Sequence, residues 1–169
     1  MLKTKSYIML FLLCTTTMAS AAEPQLKRDI NAPVNIQADH MKYEFQTGVS
    51  EYTGNVRVTQ NDLELTGDKV IVVQQDKILK NIKVTGLPAN YRQLADDGSY
   101  INAQSRQMEF QADNNRLVLT DKARLEQAGS VMESEQIVYD TVKEVVIAGD
   151  ENTNKRVNIT ITPENIKKQ

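Results

Sequence analysis

Residues 52–73 read YTGNVRVTQNDLELTGDKVIVV, and this stretch decides the fold class. Val56 and Val58 alternate with polar neighbours, and two leucines do the same after the polar pair Asn61 and Asp62. A period of two is that of a β-strand with one apolar face and one wet face. A polar break between two such runs is typical of a turn. The stretch therefore predicts a β-hairpin.

The hairpin pattern returns 67 positions later without a gap. Few residues are identical, so the repeat concerns the shape of the segments more than their sequence. An approximate internal repeat of strands is typical of stacked or elongated β architectures. The corresponding segments are 41–43 and 108–110, 56–58 and 123–125, and 70–72 and 137–139.

The same alternation continues along most of the chain, and nowhere do apolar residues recur at helical spacing over three turns. Turn residues interrupt it every eight to twelve positions, at 47–48, 86–89, 95–98, 113–115 and 149–155. The sequence therefore predicts an all-β single domain. Strands are expected near residues 34–38, 41–45, 78–84, 91–95, 101–112, 117–125, 131–147 and 157–161, the last stopped by Pro163.

Residues 1–22 have the pattern of a cleaved secretory signal peptide. Lys3 and Lys5 precede an apolar run, and small residues follow at 19–22. The run is too short to span a bilayer, which needs about 20 apolar residues. Cleavage would also remove Cys14, the one cysteine of the sequence. We expect an exported chain without disulfides, a flexible leader over 23–32, a folded domain over 33–162 and a flexible tail over 163–169.

Charge and residue usage exclude several function classes. The 20 basic and 22 acidic residues are dispersed, whereas nucleic-acid binding needs a basic footprint. His40 is the one histidine, so the common zinc ligand sets and a Ser-His-Asp relay lack members. No glycine cluster precedes a helix as in phosphate loops. The sequence predicts no metal site, no cofactor and no catalysis.

The inward parity of the strands consists mainly of valine, isoleucine, leucine and alanine. Two sheets with aliphatic inner faces either pack shut, as in a sandwich, or stand apart and hold an apolar ligand. Periodicity does not separate these alternatives.

Several blocks along the chain resemble the LptA-like (Lpt/OstA-like) family of periplasmic lipopolysaccharide-transport bridge proteins. They are APVNIQADxM at 32–41, YTGNVRVTQ at 52–60, LTGDKVIV at 65–72, GLPANY at 86–91 and QMEF at 107–110. The resemblance implies an open, twisted antiparallel β-jellyroll, with two facing sheets in a V and the lipid A acyl chains of lipopolysaccharide between them. It implies a carrier that passes lipopolysaccharide from the inner membrane to the outer-membrane translocon of Gram-negative cells.

The resemblance also implies partners and site residues. An inner-membrane LptC-like jellyroll would join the N-terminal edge, an LptD-like translocon the C-terminal edge, and copies would associate head to tail. Parity and resemblance together predict a lipid-binding groove and an assembly edge. The groove residues are Val34, Ile36, Ala38, Met41, Tyr43, Val56, Val58, Leu63, Leu65, Tyr91, Met108, Phe110, Ala112, Leu117 and Leu119; the edge residues are Val157, Ile159 and Ile161.

Two alternatives remain beside the lipid carrier. One is a secreted structural β-domain that binds a protein or a glycan and has no lipid groove. The other is a β-solenoid enzyme acting on carbohydrate through paired carboxylates. Most carboxylates lie on the wet parity or in turns, which favours a solvated face over an active site.

Overall fold

The structure is a computed structural model that describes residues 32–149 and 155–162. The predicted signal peptide, the tail, most of the leader and part of the 149–155 loop lie outside these ranges. Within them no helix occurs, and so none long and apolar enough to cross a membrane. The strands are β1 (Asn35–Gln37), β2 (His40–Glu44), β3 (Val49–Gln60), β4 (Leu63–Gln75), β5 (Ile78–Leu94), β6 (Tyr100–Gln111), β7 (Arg116–Gln127), β8 (Ser130–Asp140), β9 (Val145–Ala148) and β10 (Asn158–Ile161).

All ten strands belong to one antiparallel sheet, which confirms the predicted all-β class. Strands β3 to β8 pair in sequence order. At one end β1 and β2 share the free side of β3, and at the other β9 and β10 share the free side of β8. These two ends do not pair with each other, so the described sheet is open.

Two strand predictions need correction. The strand expected near residues 131–147 is divided into β8 and β9 by a turn over residues 141–144. Separate strands were expected on the two sides of residues 86–89, but β5 runs through them as one strand of 17 residues. The corner predicted there is a register break between Thr85 and Ala89. Pro88 lacks a backbone N–H and is therefore accommodated at a bulge, so the strand bends without ending.

Each pair of neighbouring strands from β3 to β8 has a register break, and these breaks lie on one line across the sheet. Bulges of this kind bend strands and increase their twist. We call this line the crease; it divides the sheet into layer A (residues 32–37, 56–66, 89–104, 123–133 and 157–162) and layer B (40–53, 69–85, 107–120 and 136–149). The breaks lie between Thr53 and Val56, Thr66 and Lys69, Thr85 and Ala89, Gln104 and Gln107, and Thr120 and Ala123.

The two layers face each other across one apolar core. Alternate residues of every long strand lie on one side of the sheet, which we call the inner face, and form a single buried cluster. Val58 in layer A is 1% exposed, and Leu119 in layer B is fully buried. A single flat sheet could not bury one of its own faces, so each layer covers the other. This is the two-layer, V-shaped arrangement expected of a jellyroll.

The predicted repeat of 67 residues is present in the strand pairing. The pair Ile36–Val58 of β1 and β3 recurs as Ala103–Leu125 of β6 and β7. The register break of β3 and β4 also recurs at the same offset in β7 and β8. Strands β9 and β10 occupy, beside β8, the places that the two halves of β5 occupy beside β4. The chain is therefore two copies of one motif, joined where β5 pairs with β6.

Candidate lipid groove and sheet edges

Apolar residues cross the inner face in rows, with one residue from each strand directly opposite the next. The row in layer A and one row in layer B run without interruption from the N-terminal sheet end to the C-terminal end. In layer A the row is Ile36, Val58, Leu65, Tyr91, Ala103, Leu125, Met132 and Ile159. In layer B one row is Met41, Tyr52, Val70, Val84, Met108, Leu119, Ile137 and Ala148. A second row in layer B contains one polar residue, the buried Ser50 on β3. Its members are Tyr43, Ser50, Val72, Ile82, Phe110, Leu117, Tyr139 and Val146.

The N-terminal part of the predicted groove is exposed. Met41 is 61% and Val34 45% exposed, Ala38 and Tyr43 are also exposed, and Ile36 is half-buried. They lie at the end of the sheet, where β1 and β2 pair with β3 and have no strand on their other side among the described residues. These apolar side chains therefore lack a cover that a neighbouring strand would give.

The middle part of the predicted groove is packed shut in this structure. Seven of its ten residues are buried, and three are half-buried. Of the two alternatives that periodicity left open, a closed core describes this region. Contact of these residues with lipid stays a prediction, and it requires the layers to move apart. The buried residues are Val56, Val58, Leu65, Tyr91, Met108, Leu117 and Leu119; the half-buried ones are Leu63, Phe110 and Ala112.

The predicted assembly edge lies on β10. Ile159 is directly opposite Met132 of β8 and so shares the inner face with it. Ile159 and Ile161 are both exposed, and Val157 is half-buried. In the described sheet β10 pairs with β8 alone, so its second side carries no strand.

The sequence prediction missed the layer B half of this edge. Val146 and Ala148 of β9 continue the inner face, partly buried against the core. The repeat contained the signal for them, because β9 and β10 together take the place of β5. Other large apolar residues that are exposed and outside the predicted set are Phe45, Ile78, Leu87, Tyr100, Val142, Val145 and Ile147.

Charged side chains lie on the opposite side of the sheet, the outer face. Arg57 pairs with Glu64 at 2.9 Å, and Lys69 with Glu51 at 2.9 Å. The Arg124 guanidinium donates hydrogen bonds to Glu133 and Glu126, and these bonds raise its pKa. In contrast, the buried polar residues of the described ranges are uncharged: Ser50, Gln93, Ser105 and Thr141. The inner face can therefore hold apolar groups without leaving a buried charge unpaired.

The described residues offer little to a metal or to catalysis. None of them form a group of three histidine, cysteine, aspartate or glutamate side chains that could hold a metal ion. His40 is exposed at the start of β2. The groups with shifted pKa values are exposed ion pairs and turn carboxylates, such as Glu44 beside Lys42.

Residues 35–145 match the family model described as LptA/(LptD N-terminal domain) LPS transport protein. The chain belongs to this family. The resemblance read from the sequence blocks is thereby confirmed, and the LptA-like match covers every strand from β1 to the start of β9.

Named relatives agree with this LptA-like membership. The chain is 36% identical over 138 residues to the lipopolysaccharide export system protein LptH of Pseudomonas aeruginosa, covering 80% of this chain and 78% of LptH. It is 30% identical over 141 residues to LptA of Escherichia coli K12, covering 82% and 76%. The crystal structure of LptH from P. aeruginosa, titled the LptA homologous periplasmic component of a lipopolysaccharide transport device, superposes with a TM-score of 0.72 at 34% identity. That match covers 78% of this chain and 96% of LptH.

Proposed function

We propose that the chain is a non-catalytic periplasmic carrier that shields the lipid A acyl chains of lipopolysaccharide on its inner face. It would pass the lipid from the inner membrane toward the outer-membrane translocon. The observation that carries the proposal is the set of apolar rows that run across eight successive strand positions from one sheet end to the other. The names of the relatives as lipopolysaccharide export proteins support it.

The energetics explain why such a lining is needed. Each methylene in water costs about 0.8 kcal/mol, so one twelve-carbon acyl chain costs roughly 9 kcal/mol. A lipid with several chains cannot cross an aqueous space at a useful rate without cover. Because the rows repeat similar aliphatic residues from strand to strand, neighbouring positions are close in free energy. An acyl chain can therefore slide along them without meeting a deep trap.

Loading requires the packed layers to separate. Val58 in layer A and Leu119 in layer B are both buried. Separation of the layers would expose such residues to water, at a free-energy cost of about 25 cal/mol per Å² of apolar surface. An acyl chain that enters between the layers replaces this lost contact. The layers can move apart by bending at the crease. At its bulges the strands continue, but the ladder of backbone hydrogen bonds between them is interrupted.

The repeat supports head-to-tail association and predicts its register. Strands β9 and β10 pair with β8 as β5 pairs with β4. Strands β1 and β2 pair with β3 as β6 pairs with β7. If a second copy pairs as β5 pairs with β6, Ile159 lies opposite Ile36 of the next copy, and Ala148 opposite its Met41. Every inner-face pair at this junction is then apolar, and the rows continue across copies. The exposed edges favour such strand addition.

The same two edges would take the terminal partners. An inner-membrane LptC-like jellyroll would pair with β1 and β2, and an LptD-like outer-membrane translocon with β9 and β10. The apolar rows would then be continuous between the membranes.

Photo-crosslinking tests where lipid lies. A photoreactive phenylalanine analogue at Phe110 or Tyr43 should capture lipopolysaccharide, because both side chains are on the inner face and are not fully buried. The matched controls are Lys83 on β5 and Lys42 on β2, which lie on the outer face of the same layer. Equal capture at inner and outer positions would reject the proposed groove.

A β-domain without a lipid groove is the competing hypothesis, and the packed middle of the inner face favours it. Lipid extraction of the purified protein followed by mass spectrometry separates the two. Co-purified 3-hydroxy acyl chains support the carrier. A protein free of lipid that also captures none at Phe110 would support the alternative.

A further inference from the structure

Layer A carries a hollow on its outer face, on the side of the sheet away from the apolar rows. We call it the outer hollow; its volume is about 290 Å³. Strands β4 to β7 each contribute outward side chains to it, and its floor is the sheet itself. This size lies near the lower end of the ~300–1,000 Å³ typical of small-molecule sites.

Four charged side chains line the outer hollow: Glu64, Arg124 and Glu126 are ion-paired, whereas the Arg92 guanidinium lies over the Tyr100 ring. Arg57 binds Glu64 at 2.9 Å, and Arg124 binds Glu126 at 3.0 Å and Glu133 at 3.1 Å. With Arg57 and Glu133 included, three cations and three carboxylates surround the hollow, so its net charge is zero. The hollow therefore favours a ligand without net charge.

Besides Arg92, the lining groups without a strong partner are uncharged. Asn102 and Gln104 make no side-chain hydrogen bond to another described residue. Asn90 reaches Thr66 at a long 3.3 Å. A carboxamide presents donors and an acceptor together, which suits hydroxyl groups that also donate and accept. These four side chains form two cross-strand pairs, Thr66–Asn90 and Asn90–Gln104, with Asn102 beside them.

An aromatic ring stands next to the amides. Tyr100 lies on the same face of β6 as Asn102 and is 45% exposed. The Arg92 guanidinium lies 4.0 Å from the centre of its ring and holds the ring in place. A flat apolar ring beside amides offers both a stacking surface and hydrogen bonds, as ring-shaped polar ligands require.

We propose that the outer hollow binds a neutral, hydroxyl-rich saccharide, stacked against Tyr100 and hydrogen-bonded by Asn102, Gln104 and Asn90. This inference rests on the proposed function, because the saccharide would be the sugar portion of the carried lipopolysaccharide. Tyr100 begins β6 at the turn that ends layer A, within reach of a sugar chain that leaves the space between the layers at that end. A second hollow of about 410 Å³ shares Gln104 and Arg124 with the first and extends the polar surface toward β10.

Two sugars without acyl chains test the site by amide chemical-shift titration of the purified protein. One is the dephosphorylated oligosaccharide released from lipopolysaccharide by mild acid, and the other is maltoheptaose. The oligosaccharide should shift amides of β4 to β7 around the hollow. Gln104→Ala and Asn102→Ala should each weaken binding roughly three- to tenfold, as expected for one lost hydrogen bond. Gln107→Ala is the matched control, an exposed amide on β6 beyond the crease.

The outcomes separate this inference from the carrier function. Absence of shifts with both sugars, or equal binding by the Gln104→Ala and Gln107→Ala variants, overturns the saccharide site. If lipopolysaccharide is still captured at Phe110, the carrier function then stands alone. Equal binding of both sugars supports the saccharide site and rejects the carried lipid as its specific source. Because the substituted side chains are exposed, unchanged spectra of the free variants will show that the fold is intact.

Discussion

Gly48 closes the turn between β2 and β3 with a positive φ of 68°. A Cβ atom there would collide with the backbone oxygen of Gln74, whose N–H donates to the Gly48 carbonyl at 3.0 Å. Gly98 is a matched control, with φ of 80° and nothing within 4 Å of the added atom. Gly98→Ala should cost only the left-handed backbone term, about 1–2 kcal/mol. Gly48→Ala should cost roughly 2–4 kcal/mol, because overpacking is added.

Chemical denaturation of the two alanine variants measures this difference. Equal losses of unfolding free energy in the two variants would contradict the prediction. They would show that the turn relaxes around the new methyl group, so that the crowding at Gly48 does not destabilise the fold.

Asp140 caps the turn between β8 and β9. Its carboxylate accepts hydrogen bonds from the backbone N–H groups of Lys143 at 2.9 Å and Val142 at 3.2 Å. These bonds favour the charged form and lower the pKa of the group, the Lys143 bond most. A lowered folded-state pKa gives stability that is present above the ordinary value of about 3.9 and is lost as pH falls through the folded-state pKa.

Asp140→Ala should therefore lower the melting temperature at pH 7, and the gap to the parent should close in acid below about pH 3.9. Asp96→Ala in the turn between β5 and β6 is the control, since its side chain makes no hydrogen bond to a described residue. A gap for Asp140→Ala that persists unchanged at pH 2 would contradict the electrostatic origin.

At the level of strands, local alternation was sufficient for prediction where a turn residue marked the end of each strand. Asn61 has a φ of 52° at the turn between β3 and β4, as the polar pair indicated. The continuity of β5 was missed because a proline corner and a true turn have the same local composition. Only the pairing of β5 with β4 and β6 distinguishes them, and that pairing involves residues far away in sequence.

The candidate site was predicted unevenly for the same reason. Alternation indicates which side chains share a face, and the rows place Ile36, Tyr91 and Met108 on the inner face. How far apart the two layers stand depends on the angle at the crease, which no single strand encodes. The sequence therefore could not show that the middle is packed while the ends are exposed.

The proposed junction between copies joins β9 and β10 of one copy to β1 and β2 of the next. Disulfide trapping can test its register. A chain with Ile36→Cys mixed with one carrying Ile159→Cys should form a mixed disulfide dimer under mild oxidation. Residues directly opposite in antiparallel strands have Cα atoms about 4.5–5.5 Å apart, within the range of a disulfide. Asn35→Cys mixed with Ile159→Cys is the out-of-register control, because the side chain of residue 35 points to the outer face. Crosslinking of the control pair alone would show a register shifted by one residue.

At the scale of the whole molecule, the two ends of the described sheet repeat the inner-face pattern of the junction between β5 and β6. That internal junction buries Tyr91 and Ala103, whereas the equivalent edges β9–β10 and β1–β2 leave Ile159 and Met41 exposed. The apolar rows do not distinguish the internal junction from the proposed one between copies.

A circular permutant tests this equivalence directly. New ends between Asp97 and Gly98 would open the turn between β5 and β6, and a copy of residues 95–99 would join Thr162 to Pro33. Exposed turns tolerate such cuts, and equal loop lengths keep the closure entropy the same. The permutant should unfold cooperatively with the parent's β spectrum, because β9 and β10 now pair with β1 and β2 inside one chain.

The substitution Ile159→Lys then distinguishes the two contexts. In the parent chain it should weaken self-association in light scattering and leave the melting temperature nearly unchanged, since Ile159 is 58% exposed there. In the permutant the same lysine would be buried within the chain, so it should lower the melting temperature instead. Thr160→Lys, whose side chain points to the outer face of the same strand, should do neither. A permutant that folds but is indifferent to Ile159→Lys would show that its two edges do not pair as β5 and β6 do.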